Sequence, residues 1–166
     1  MLRIIRVGMA AGFFLAAAAA QAADVKATGL HMCCGACKAA ITKALTDAGA
    51  TNIAADKGTV SFTAEDPAKA VTALYDAGFA GKTEGVTVRP PNAGARGVTG
   101  KTITVEKVHN CCGSCVAAIT AATKSVGTAN VKARETSFTV TSDNDIEARA
   151  VVRALRDAGF NAQVKK

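Results

Sequence analysis

The sequence predicts an α+β fold of two tandem domains, each running βαββαβ into a four-stranded antiparallel sheet with two helices on one face. Three observations predict it. The first is an internal repeat. His31-Met32-Cys33-Cys34-Gly35-Ala36-Cys37 returns as His109-Asn110-Cys111-Cys112-Gly113-Ser114-Cys115, and each copy leads into Ala-Ala-Ile-Thr, at Ala39 to Thr42 and Ala117 to Thr120. Farther on, Asp76-Ala77-Gly78-Phe79 returns as Asp157-Ala158-Gly159-Phe160. The second is the stretch from Arg89 to Gly100, where adjacent Pro90 and Pro91 suit neither a helix interior nor a central strand. The third is apolar patterning that changes period in the same order in both halves.

The N-terminus reads as an export signal over residues 1–22. Arg3 and Arg6 precede an uncharged run from Val7 to Ala20, and Ala20-Gln21-Ala22 supplies a small-x-small cleavage pattern. The run falls short of the roughly 20 apolar residues a membrane span needs. The mature chain is therefore expected to start near Ala23, with no membrane span, in the periplasm or secreted. No cysteine follows the cut, which argues against a lipoprotein.

Residues 23–89 make the first domain, 90–99 a Pro/Gly linker and 100–166 the second, like two beads on a short string. In the first, Asp24 to Leu30 is extended. Ile41, Ala44, Leu45 and Ala48 then recur at helical spacing, and Gly49 ends the run. Asn52 to Ala55 and Thr59 to Thr63 read as strands joined by a turn at Asp56-Lys57-Gly58. Asp66 and Pro67 supply an N-cap and a first helical residue, Val71, Leu74 and Ala77 an apolar side, and Gly78 a stop. Val86 and Val88 suggest the closing strand.

The second domain repeats the plan. Thr102 to Val108 alternates as a strand, Ile119, Ala122 and Val126 mark a helix, and Asn130 to Ala133 and Ser137 to Thr141 are the middle strands. Asp143 is expected to cap a longer second helix, with the extra residues forming one more turn, and Asn161 to Val164 to close the sheet. This order is the split-βαβ, ferredoxin-like arrangement.

The formal charge of +7 falls to +5 without Arg3 and Arg6, and the excess lies in the second half. Aromatic residues are few and not interleaved with the basic ones, so nucleic acid is not indicated as a partner. Arg149, Arg153 and Arg156 share helical spacing and read as a solvated face.

The chemistry sits in the repeated loop, which holds all six cysteines and both histidines of the chain. Each loop lies between a first strand and a first helix. Cys34 with Cys37, and Cys112 with Cys115, are Cys-x-x-Cys pairs at helix N-termini, where unpaired N–H groups and the helix dipole favour a thiolate. Paired thiolates suit a thiophilic ion, Cu(I), Hg(II), Zn(II) or Cd(II), rather than a hard ion that wants oxygen.

Met32-Cys33-Cys34-Gly35-Ala36-Cys37 resembles the Met-x-Cys-x-x-Cys motif of the heavy-metal-associated (HMA) domain, a family that includes copper chaperones, N-terminal domains of metal-pumping P-type ATPases and the periplasmic mercury-binding protein. The resemblance implies the βαββαβ fold in both units. It implies Cys34 and Cys37 as metal ligands of one domain and Cys112 and Cys115 of the other, about one ion per domain. It also places Phe79 and Phe160 near the metal loops and Met32 beneath its loop. A metal-transporting ATPase or another metal acceptor is the implied partner, and the role is binding and transfer rather than enzymatic. The chain departs from the motif at Cys33 and Cys111, which add a third thiol to each loop, at Asn110, which stands where the motif has methionine, and at His31 and His109. These are further candidate ligands, because a Cys₃ or Cys₃His set suits Zn(II), Cd(II) or trigonal Cu(I). Two other readings use the same cysteines: a periplasmic thiol–disulfide oxidoreductase, and structural disulfides.

Overall fold

The computed structural model describes residues 22–165. The expected signal over residues 1–22 lies almost wholly outside them. The elements are β1 (Ala23–Thr28), α1 (Gly35–Asp47), β2 (Thr51–Asp56), β3 (Thr59–Ala64), α2 (Pro67–Asp76) and β4 (Lys82–Glu84), then β5 (Thr99–Glu106), α3 (Gly113–Thr123), β6 (Thr128–Asn130), β7 (Phe138–Glu147), α4 (Ala148–Asp157) and β8 (Gln163–Val164). They form two four-stranded antiparallel sheets, ordered β2-β3-β1-β4 and β6-β7-β5-β8. That topology is compatible with two ferredoxin-like units.

Alternation sets the core face of each sheet. Val25 and Ala27 of β1 stand opposite Phe62 and Val60 of β3, and in the second sheet Ile103 and Val105 stand opposite Val140 and Phe138; all eight are buried. The helices cover these faces with stripes at helical spacing, Val71, Leu74 and Tyr75 on α2 and Val151, Val152 and Leu155 on α4. Asp66 caps α2 as expected, its side chain accepting from the Lys69 amide at 2.9 Å, with Pro67 at the first helical position. Among the described residues no helix is long and apolar enough to cross a membrane.

Several expectations are corrected. The fourth strand is Lys82–Glu84 rather than Val86 to Val88: Gly85 takes φ +87°, and the Thr83 hydroxyl donates to the Val86 carbonyl at 2.9 Å, closing a turn that leads the chain off the sheet. α3 ends at Thr123, short of Val126, because the Thr123 carbonyl accepts from both Val126 and Gly127 at 2.8 Å. β6 lies earlier than Asn130 to Ala133, and β8 is shorter than Asn161 to Val164.

Asp143 caps nothing; it lies within β7. α4 is no longer than α2, at ten residues each, and the extra residues of the second half enter β7 as an irregularity: Thr102 pairs with Thr141 but Gly100 with Ile146. The run Ser142-Asp143-Asn144-Asp145 consists of side chains that compete with helical backbone bonding, and the Asn144 amide donates to Ser142 Oγ at 3.4 Å. The helix starts only where the Ala148 amide is taken by the Val98 carbonyl at 2.9 Å.

The linker is packed rather than a loose string. Ala93 and Ala95 are buried, Val164 donates to the Ala93 carbonyl at 2.7 Å, and the Arg156 guanidinium binds the Pro91 carbonyl at 2.8 Å and Asn161 Oδ1 at 3.0 Å. Arg156 thus leaves the solvated face expected for it, while Arg149 and Arg153 stay exposed.

Candidate metal centre

Helix phase decides how each thiol is presented. Cys37, Ile41 and Leu45 recur every fourth residue and form the buried stripe of α1; Cys115, Ile119 and Thr123 do the same on α3. Cys37 and Cys115 are therefore drawn into the interior, at 0 % exposure. Cys34 and Cys112 are the N-caps, in nearly identical extended conformations with φ −156° and −158°. Both are half-buried, as is Cys111, and Cys33 is exposed.

The two loops meet because the repeated Asp-Ala-Gly-Phe segments dock on each other. Phe79 and Phe160 form an antiparallel bridge, the Ala80 amide donates to the Gly159 carbonyl at 3.0 Å and the Asn161 amide to the Gly78 carbonyl at 2.9 Å. Asn161 Nδ2 also reaches the Tyr75 carbonyl at 2.8 Å within the interior. A β-carbon on Gly78 would collide with the His109 amide nitrogen, and one on Gly159 with that of His31. Both glycines also take positive φ, +86° and +89°, just past the ends of α2 and α4. They end the helices and let the opposite cysteine loop approach.

Docking places all six sulfurs in one cluster. Cys33 Sγ lies 3.6 Å from Cys37 in its own loop and 3.6 Å from both Cys112 and Cys115 in the other. Reciprocally, Cys111 Sγ lies 3.4 Å from Cys34, 3.5 Å from Cys37 and 3.7 Å from Cys115. Cys34 and Cys37 are 3.8 Å apart. All six cysteines are free thiols.

Two four-thiol groups can hold a metal ion: Cys33, Cys34, Cys111 and Cys112, and Cys33, Cys37, Cys111 and Cys115, the sulfurs of each lying within 4.8 Å of one another. Each draws two thiols from each loop. The donors fit such an ion, since a tetrahedron with metal–sulfur bonds of 2.3 Å has edges of about 3.8 Å, little longer than the contacts found.

The thiols are electrostatically unequal. Backbone N–H groups of the first helical turn, that of Cys115 foremost, together with the neighbouring Cys33 thiol, bring Cys112 down to about 6. The Cys37 amide and then the Cys111 thiol lower Cys34 in the same way, though no strict side-chain cap hydrogen bond forms at either position. Desolvation, then hydrogen bonding to the neighbouring thiols, pushes Cys33 and Cys111 well up, and burial raises Cys37. The cluster therefore sets two rim thiols of lowered pKa, Cys112 and Cys34, beside neighbours whose pKa is raised.

His31 and His109 stand in neither four-thiol group. His31 stacks on Phe160 and His109 on Phe79, both with ring centroids 4.3 Å apart. The two phenylalanines thus lie beside the metal loops, each against the histidine of the opposite domain. Burial lowers the pKa of both imidazoles, and their Nε2 atoms are buried without a partner. Met32 is half-buried against the core, whereas Asn110 at the matching position is buried and donates to the Lys132 and Glu135 carbonyls at 2.7 and 2.9 Å.

The meeting of the two loops does not follow from either half of the sequence taken separately. The signal was present in the second repeated segment, whose glycines and phenylalanines make the junction. Compared with protein-family models, curated proteins and solved structures, the chain matches none.

Proposed function

We propose that this chain is a heavy-metal-binding protein, built from two ferredoxin-like domains of the heavy-metal-associated type, that sequesters or passes on a thiophilic ion: Cu(I), Hg(II) or Zn(II). The observation that carries the reading is the convergence of six free thiols, from two loops far apart in sequence, within 3.4–3.8 Å of their neighbours. Thiolate donors at that spacing suit a soft ion, and no hard oxygen ligand joins either group.

Transfer proceeds by ligand exchange. Cys34 and Cys112, lowered in pKa and half-exposed at the rim, are the ligands an acceptor protein's thiol reaches first, while Cys33 and Cys111 of the same group keep hold of the ion. Binding displaces the protons that the thiols share, so affinity rises with pH. With the expected export signal, the setting is the periplasm or the exterior, and the partner is a metal-transporting ATPase or another metal acceptor.

The test is metal content and thiol count on the reduced chain after exposure to Cu(I), Zn(II) or Hg(II), with Cys34, Cys37, Cys112 and Cys115 changed to Ser as control. Tight stoichiometric metal, lost in the control, supports a binding protein. No metal retained, together with catalysed reduction of insulin disulfides, overturns it in favour of a thiol–disulfide oxidoreductase.

A further inference from the structure

We propose that the six thiols form one binuclear centre for tetrahedral divalent d¹⁰ ions, Zn(II) or Cd(II), with Cys33 and Cys111 bridging the two ions. Cys34 and Cys112 complete one ion, and Cys37 and Cys115 the other. The proposal rests on the metal-binding reading above and replaces one ion per Cys-x-x-Cys loop with two ions that each span both domains.

The geometry argues for sharing. The two four-thiol groups have Cys33 and Cys111 in common and differ only in which pair completes them. Two tetrahedra that share an edge have this composition: six donors, two of them bridging. Cys33 and Cys111 also hold the central positions. Cys33 lies 3.6 Å from Cys37, Cys112 and Cys115, and Cys111 lies 3.4–3.7 Å from Cys34, Cys37 and Cys115. The group of Cys33, Cys37, Cys111 and Cys115 has contacts of 3.5–3.7 Å, near the edge of about 3.8 Å that a ZnS₄ tetrahedron requires.

Charge balance favours filling both positions. A first divalent ion takes four thiolates and leaves a net charge of −2, with two thiols still protonated. The second ion adds two positive charges and displaces those two protons, so the net charge stays at −2. The second ion therefore enters without adding charge to a half-buried site.

The position of the extra cysteines gives them a purpose. Cys33 and Cys111 directly precede the Cys-x-x-Cys pairs, on the side of each loop that faces the other domain, and each reaches thiols of the opposite loop. The Cys-x-x-Cys pairs are in turn divided: Cys34 and Cys37 serve different ions.

The experiment titrates the reduced chain with Cd(II) under argon, following sulfur-to-cadmium charge transfer and native mass, and records the ¹¹³Cd spectrum of the loaded protein. The expected result is an end point at two Cd(II) per chain, two tetrathiolate ¹¹³Cd signals, and a mutual splitting transmitted through the bridging sulfurs. Cys33→Ser should disturb both signals, whereas Cys34→Ser should remove one and leave the other in the tetrathiolate range. Two ions with no mutual splitting, both retained in Cys33→Ser, would overturn the bridged centre while leaving a metal-binding protein. One ion per chain would overturn it equally. No Cd(II) bound at all would overturn the functional reading as well. The splitting is read on the unmodified chain, so the test survives a variant that fails to fold.

Discussion

Phe79 and Phe160 pair main chain to main chain across the junction of the two halves, and each carries the histidine of the other half's cysteine loop on its ring. His31 and His109 sit directly before Met32-Cys33 and Asn110-Cys111, so these stacks tie the docking of the two halves to the positions of the Cys33 and Cys111 thiols. A double-mutant cycle on His31→Ala and Phe160→Ala should give a coupling of about 0.5–1.5 kcal/mol by chemical denaturation. Coupling indistinguishable from zero would show that the stack does not help hold the loops.

Gly78 and Gly159 lie directly against the backbone of the opposite loop. Alanine in the left-handed region costs about 1–2 kcal/mol by itself, and here the added methyl also meets the opposite loop's backbone. Gly159→Ala should lower the melting temperature and separate the two sets of thiols, read as loss of any metal that needs both loops. Gly97, which also has positive φ but an open surrounding, provides the control: Gly97→Ala should carry the backbone cost alone.

The thiols should differ in reactivity. Cys112, lowered to about 6, is a thiolate at neutral pH, and Cys34 is lowered in the same direction. Alkylation of Cys112 by iodoacetamide should rise as pH increases through about 6 and level off above it, with Cys33 and Cys111 labelled more slowly than Cys112. The depressed pKa of Cys112 also means that its contribution to stability is complete above the unfolded thiol value and is lost as pH falls through about 6. Peptide mapping of partially labelled protein across pH 5–8 checks the order.

The two aspartates expected to cap second helices should separate cleanly. Asp66→Ala removes the bond to the Lys69 amide and should cost about 1 kcal/mol. Asp143→Ala lies in exposed strand outside any helix and should leave the denaturation midpoint nearly unchanged.

Asn110 should matter through the loop that it pins rather than as a ligand. Its side-chain amide donates to the Lys132 and Glu135 carbonyls, beside the bond that its main-chain carbonyl accepts from the Arg134 amide at 3.0 Å. Asn110→Ala should destabilise the fold by about 1–3 kcal/mol while Cd(II) stoichiometry, measured on the folded variant, stays unchanged.

Local pattern made much of this protein legible. The repeat, the order of elements, the Asp66 cap and the thiol donors all follow from short-range periodicity and residue chemistry. The errors fell where tertiary contacts compete with local preference. Ser142 to Asp145 went into a strand irregularity rather than a helical turn, and Arg156 turned from solvent to hold the linker. The docking of the two loops was decided only in three dimensions. It depends on backbone approach at Gly78 and Gly159 and on ring stacking between residues far apart in the chain, neither of which leaves a periodic trace. The sequence by itself determined that the chain carries two three-thiol loops. Tertiary structure decided that they make one cluster, because sulfurs from the two halves come within reach of one another only when the Phe79 and Phe160 segments pair.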